Sequence, residues 1–320
     1  MQQVRRLLLL GCLPGWAMWG ETQAGVRSGD EAVLIVSSDS AAAFVDAAQA
    51  LIEELLHAGI SRYAIRQMTA AEWAASGKSG QAPQAQVLVA LGTEAATLLA
   101  TTVTKTPVLC ALLPRSSFER VLRGSGRKPS SLLTALYLDQ PLSRQLALIR
   151  LALPLAQRVG VLWGPESVAR APLLKSLAAA QGLTLAEAKM DSAEGVFPAL
   201  KQVLGDCDVL LALPDPQVYH GSSIQNILLS AFRAGVPMVG FSPAYVRAGA
   251  LLGLHVTPVQ VGRQAASLVL EALQERALPA SPVESNDFEV GVNDHVARAM
   301  GLALSASNLR LALRRAERLP

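Results

Sequence analysis

The sequence predicts an α/β protein of two lobes, each a parallel sheet with helices on both faces. Three observations carry this. The chain has 320 residues, 51% of them apolar, enough for about two domains of roughly 150 residues, each with a sizeable core. From residue 32 onward, short apolar runs of strand length alternate with stretches of helical period, the pattern of βαβ units. The apolar runs are continuous, as expected of strands covered on both sides.

Taken in order, strands are expected at 32–36, 86–91, 107–112, 131–137, 158–163, 208–213, 237–241 and 250–255. Helices are expected at 41–57, 94–102, 143–152, 167–181, 195–204 and 217–233. Gly59, Gly182 and Gly235 each stand just past a helical stretch, where a left-handed residue ends the helix. These similar helix–Gly–strand units fall in both halves of the chain. Residues 122–130 (LRGSGRKPS) read as a basic surface loop, and 278–287 as a Pro- and Ser-rich connector. A strand at 288–292 follows, then a helix at 293–304 capped by Asn293. The Arg-rich stretch 309–318 reads as an amphipathic helix with a solvated charged face.

The first residues read as a targeting segment. Arg5 and Arg6 precede an apolar run at 7–19, and small residues stand at Thr22 and Ala24. That order is a secretory signal peptide over 1–24, cleaved after Ala24, which places the protein in the periplasm. A rival reading is a lipobox at Leu9-Leu10-Gly11-Cys12, with only a short apolar stretch before the cysteine. Removal of Arg5, Arg6 and Glu21 with the segment leaves a charge of +2. Cys110 and Cys207 remain, and their place in or beside apolar strands favours packed thiols over a disulfide.

Several function classes are disfavoured. A formal charge of +3 and 4% aromatic residues do not suit a nucleic-acid binder. No CxxC occurs, and none of the four His has a neighbouring ligand at metal spacing. The P-loop and GxGxxG are absent, so no cofactor is expected. Gly240-Phe241-Ser242-Pro243-Ala244 resembles a nucleophile elbow lacking its last Gly. Pro243 removes the N–H that such a site uses for its oxyanion hole, so enzymatic chemistry is not expected.

In open parallel sheets, ligands bind beyond the carboxyl ends of the strands. The residues there are Ser37, Ser38 and Asp39, then Gly92, Thr93 and Glu94, then Arg115. Tyr137 and Trp163 close their own strands, and Asp215, Ser242 and Tyr245 follow later ones. Helix N-termini with nearby hydroxyls suit a carboxylate, and Asp215 suits a ligand amine. The same residue types serve equally well as helix caps.

Further motifs carry a family resemblance: RVGVL at 158–162, DVLLALPD at 208–215, AGVP at 234–237, YVRAGAL at 245–251, VGRQ at 261–264 and VGVN at 290–293, with Ala297 and Gly301. Together they resemble ABC-transporter substrate-binding proteins of the type 1 periplasmic-binding fold. The resemblance implies two Rossmann-like lobes joined by a hinge that the chain crosses three times. The first lobe would be 30–138 plus 257–280, the second 139–256 plus 281–320. It further implies a small-molecule ligand held between the lobes, Gly92-Thr93 near a ligand carboxylate, and Asp215 near an amine. The implied partner is an ABC permease or, in a sensing role, a membrane receptor or kinase; the remaining alternative is a lobe pair that binds no small molecule and serves as an interaction module. The protein is expected to be a monomer. Departures from the family pattern are Glu94 in place of a frequent Pro, a longer loop at 37–40, and His255 and Pro258 near the last crossing.

Overall fold

The computed structural model describes residues 31–78, 84–190, 195–275 and 277–317. The expected signal peptide and the lipobox cysteine lie outside them. The first lobe holds β1 (Glu31–Ser37), α1 (Ala42–His57), β2 (Ile65–Thr69), α2 (Ala70–Lys78), β3 (Ala85–Leu91), α3 (Thr93–Thr102), β4 (Val108–Leu113), α4 (Arg115–Ser125) and β5 (Leu133–Tyr137). Its five strands run parallel in the order β2-β1-β3-β4-β5. Strand period 2 sorts the side chains. Val33, Ile35, Val87 and Val89 face one core, while Leu34, Val36, Leu88 and Ala90 face the other.

The second lobe begins with α5 (Leu142–Ala152), β6 (Arg158–Trp163), α6 (Ala171–Ala180) and β7 (Thr184–Lys189). It continues through α7 (Val196–Asp206), β8 (Val209–Leu211), α8 (Ile224–Arg233), β9 (Met238–Gly240), α9 (Pro243–Ala248) and β10 (Leu252–His255). The chain then returns to the first lobe as α10 (Pro258–Glu275), which packs beside α1. Finally it crosses again to give β11 (Glu289–Val292), α11 (Asp294–Ala299) and α12 (Ala306–Ala316). The second sheet has the order β11-β10-β9-β8-β6-β7, parallel except for the antiparallel β10–β11 pair. The architecture is thus two α/β lobes joined by three crossings.

Gly262 shows how closely α1 and α10 approach. A Cβ there would collide with the carbonyl oxygen of Ala47 on α1, so no side chain fits between the two backbones. Val283 pairs with Leu136 and extends the first sheet beyond β5. The chain therefore leaves the first lobe near Glu284, a few residues after the boundary of 280 drawn from the sequence.

Several local expectations need correction. Residues 122–125 belong to α4, which ends at Gly126 with φ 66°, so the basic stretch is a helix end more than a loop. Its Arg127 binds the carbonyls of Ala100, Val103 and Leu132. The helix expected at 217–233 starts only at Ile224. The α12 arginines are not simply solvated. Arg310 pairs with Glu289 and Arg314 with Asp287, and Phe288 is stacked by both Arg144 and Arg314. Asn293 caps α11 as expected, accepting from the N–H groups of His295 and Val296. Cys110 and Cys207 are free, buried thiols in different lobes.

Candidate ligand cleft

The carboxyl ends of the two sheets face each other. Residues following β4 and β5 of the first lobe touch residues following β6 of the second. On the first-lobe side, Ser38 is already committed to the fold. Its Oγ donates to Leu91 O and accepts from the N–H of Ala95, both at 2.9 Å. It thereby caps α3 from a neighbouring loop, meeting a donor that the helix cannot satisfy itself. Gly92, at φ 89°, permits this approach, since a Cβ would lie 2.7 Å from Ser38 Oγ and 2.6 Å from Phe44 Cε1. Asp39 is exposed, and its Oδ1 accepts from the N–H groups of Ser40 and Ala41 at 2.6 and 3.1 Å, a turn that leads into α1. Thr93 opens α3 half-buried, and its hydroxyl makes no hydrogen bond among the described residues. Glu94 is exposed. Ser37 is 4% exposed, with a buried, unpartnered Oγ.

On the second-lobe side, Asp215 departs from the role expected of it. It is 2% exposed. Its Oδ2 accepts from Ser167 Oγ at 2.8 Å, Ser167 N at 2.9 Å and Glu166 N at 3.1 Å, and its Oδ1 from Gln217 N at 3.0 Å. Four internal donors occupy the carboxylate, which ties the loop after β6 to the loop after β8. With Asp215 only 2% exposed, a ligand amine would reach it only if these loops opened. Trp163 is also misplaced as a contact. It is fully buried, with Nε1 donating to Glu187 Oε1 at 2.7 Å, and belongs to the core beneath α5 and α6.

Ser242 is half-buried at the start of α9, and its side chain makes no cap hydrogen bond. Tyr245 packs at 4.6 Å between ring centroids on Phe241 and at 6.4 Å on Tyr219, whose carbonyl its hydroxyl reaches at 3.4 Å. Burial pushes the Tyr245 phenol up to about 12 and raises that of Tyr219 further. Tyr219 Oη is buried, with no hydrogen-bond partner among the described residues.

Arg115 and Tyr137 lie at the base, beside the crossings. The Arg115 guanidinium sits 4.5 Å above the Tyr137 ring, and its Nη2 reaches Glu284 Oε1 at 3.1 Å. Burial raises the Tyr137 phenol to about 12 against the opposing pull of Arg115. Just before these crossings, β4 carries a register shift, with Leu112 at φ 58°. This bulge redirects the chain toward Pro114 and Arg115. Asp139, at the first crossing, accepts from Arg115 N at 2.7 Å and faces Arg170 Nη1 at 3.5 Å. Burial raises its acid pKa, while the Arg115 N–H and the Arg170 charge hold it down.

The sequence reading missed this charged group at the hinge: Arg120, Asp139, Glu166 in its pairing role, Arg170 and Glu284. Their only signal was position, since Asp139 follows the apolar strand β5 and Glu284 sits in the Pro- and Ser-rich connector. It also missed Arg144, which is 8% exposed and joins the crossings. Its Nη1 donates to Gln140 Oε1 at 2.7 Å and Ser285 O at 2.9 Å, and its Nε pairs with Glu317.

Comparison with known proteins adds to this geometry. The family model described as "ABC transporter substrate binding protein" matches residues 32–315. No curated protein matches the chain. Among solved structures, a ligand-free, open substrate-binding protein with adhesive properties from Clostridium difficile is similar at TM-score 0.65. It is 17% identical, with 86% of this chain and 96% of that one covered. A conserved domain protein from Vibrio cholerae is similar at TM-score 0.58, with 23% identity and coverage of 88% and 98%. An ABC domain in complex with L-Trp from Streptococcus pneumoniae is similar at TM-score 0.56, with 18% identity and coverage of 87% and 97%. These likenesses establish the two-lobed binding-protein fold. With the family match spanning both lobes and all three crossings, the chain belongs to the ABC transporter substrate-binding protein family.

Proposed function

We propose that this protein is an exported solute-binding protein that captures a small polar ligand between its lobes and delivers it to an ABC permease. The observation that carries the reading is the opposition of two sets of strand ends across three chain crossings. Ligand contacts made from both lobes favour the approximated state over the open one. The contacts left free for a ligand are the Thr93 hydroxyl with the α3 N-terminus, and Ser242 at the start of α9. These suit a carboxylate or a hydroxyl-bearing solute. The pneumococcal relative is described with L-Trp, which supports amino acids as the first class to screen. Asp215, buried and serving four internal donors, is not the amine partner in this reading.

The test is calorimetric titration of purified protein with amino acids, sugars, polyamines and nucleosides, after native mass spectrometry for a co-purified solute. Binding that Thr93→Val weakens about tenfold, the loss of one hydrogen bond at ~1.4 kcal/mol, supports the site. Binding that is unchanged in Thr93→Val and in Ser242→Ala overturns this placement. A protein that binds nothing but retains a membrane receptor or kinase in pull-down supports the sensing role instead.

A further inference from the structure

We propose that the lobes are held in their approximated arrangement by an electrostatic latch, in which each of two hinge carboxylates is gripped from both lobes. Asp139 accepts the Arg115 N–H of the first lobe at 2.7 Å and pairs with Arg170 of the second at 3.5 Å. Glu284, at the third crossing, meets Arg115 Nη2 at 3.1 Å and Arg170 Nη2 at 4.0 Å. Further from the hinge, Arg120 on α4 and Glu166 after β6 pair directly, lobe to lobe, at 3.1 Å. Arg115 is fixed by its stacking on Tyr137, so it stays with the first lobe. With both hinge acids also held by Arg115, rotation of the second lobe away from the first would strain their contacts to Arg170 and part Arg120 from Glu166.

The physics sets the scale of the device. Asp139 and Arg170 are mostly buried, their side chains 3% and 13% exposed. Their attraction is offset by the cost of holding both out of water. Arg120 is half-exposed, where an ion pair adds little. The latch is thus a modest bias, one that shifts the share of approximated molecules without locking them. Because only approximated molecules present both halves of the cleft, that share scales any apparent affinity. The latch itself acts without ligand and stands whatever the cleft binds.

The experiment measures lobe separation in the ligand-free full chain. Spin labels at Thr97→Cys on α3 and Ala248→Cys on α9, both exposed, report the interlobe distance by pulsed electron resonance. Wild type, Arg120→Glu, the swap Arg120→Glu/Glu166→Arg, and Arg170→Gln are compared. The latch predicts a several-fold larger long-distance population in Arg170→Gln and a smaller rise in Arg120→Glu, the latter reversed by the swap and partly reproduced in wild type by 1 M NaCl, where screening reaches ~3 Å. Distance distributions of Arg170→Gln and of Arg120→Glu that both superimpose on wild type overturn it. Should Arg170→Gln fail to fold, Glu284→Gln, which frees the third crossing from both Arg115 and Arg170, takes its place in the comparison.

Discussion

Replacing Asp215 by Ala tests whether this carboxylate belongs to the fold. It serves four donors, and a hydrogen bond to a charged group contributes ~1.5–3 kcal/mol. The four do not count equally. Gln217 is exposed and water replaces its bond, while Ser167 N also donates to Gly164 O at 3.2 Å. The expected loss is therefore ~3–4 kcal/mol, close to two full charged bonds. Gly164 supplies an internal check. A Cβ on it would stand 2.5 Å from Asp215 Oδ2 and 2.6 Å from Cγ, so Gly164→Ala alone costs ~1–3 kcal/mol by overpacking. In the Asp215→Ala background those atoms are gone, and the same methyl fits. The double variant is thus expected to be more stable than the sum of the singles predicts by ~1–2 kcal/mol. Urea denaturation followed by tryptophan fluorescence in a Trp73→Phe background, which removes the buried first-lobe indole, reads the second lobe through Trp163. Additivity within ~0.5 kcal/mol, or an Asp215→Ala loss below ~1 kcal/mol with ligand affinity abolished, would refute the structural role and restore the ligand-amine reading.

Four further outcomes follow from packing and charge. Gly262→Ala forces α1 from α10 and lowers stability by ~1–3 kcal/mol, measured as a lower thermal midpoint. Arg144→Met strips bonds from Gln140, Ser285 and Glu317 and costs ~2–4 kcal/mol in the same assay. Burial holds the His255 imidazole below its ordinary value of 6.5, with Glu289 opposing. The unfolded chain then takes up that proton first, so wild-type stability falls as pH drops below about 6.5 and levels off beneath the folded value. Urea midpoints across pH should flatten in His255→Asn. The thiols of Cys110 and Cys207 are pushed by burial to about 12 and about 11; peptide mapping should find both unmodified by iodoacetamide in the native protein and both alkylated in urea.

Legibility in the sequence followed burial. Strands β1, β3, β4 and β6 are apolar on both faces and stood out as runs. The edge strands β2 (IRQMT) and β7 (TLAEAK) each leave side chains exposed, so they carried no continuous run and were missed. Helix α4 hid for another reason: its buried face includes Ser116 and Ser117 beside Phe118 and Val121, and Gly124 made its last turn look like a loop. Helix α10 was missed too. Its place against α1 rests on Gly262, whose role depends on a backbone more than two hundred residues earlier. At the cleft the ambiguity was chemical. A serine or aspartate beyond a strand end offers the same oxygen to a helix N–H, a loop N–H or a ligand, and only the fold shows the internal bonds that Ser38 and Asp215 make. The hinge charges were invisible because their four ion pairs join separate segments of the chain, such as Arg115 and Glu284.

The return of the chain to its first lobe also bears on how the protein folds. Helix α10 covers one face of the first sheet, burying Val261, Ala265, Ala266 and Val269 there, yet it is synthesised after every strand of the second lobe except β11. Until those residues emerge, the first sheet keeps an open apolar face, so neither lobe can complete on its own during synthesis. Domains that are contiguous fold as they appear; interleaved ones wait, and their long-range contacts slow the search further. A chain that must remain threadable until translocation gains from such a delay, which suits the exported destination proposed above. Splitting the gene between the lobes should yield two insoluble halves.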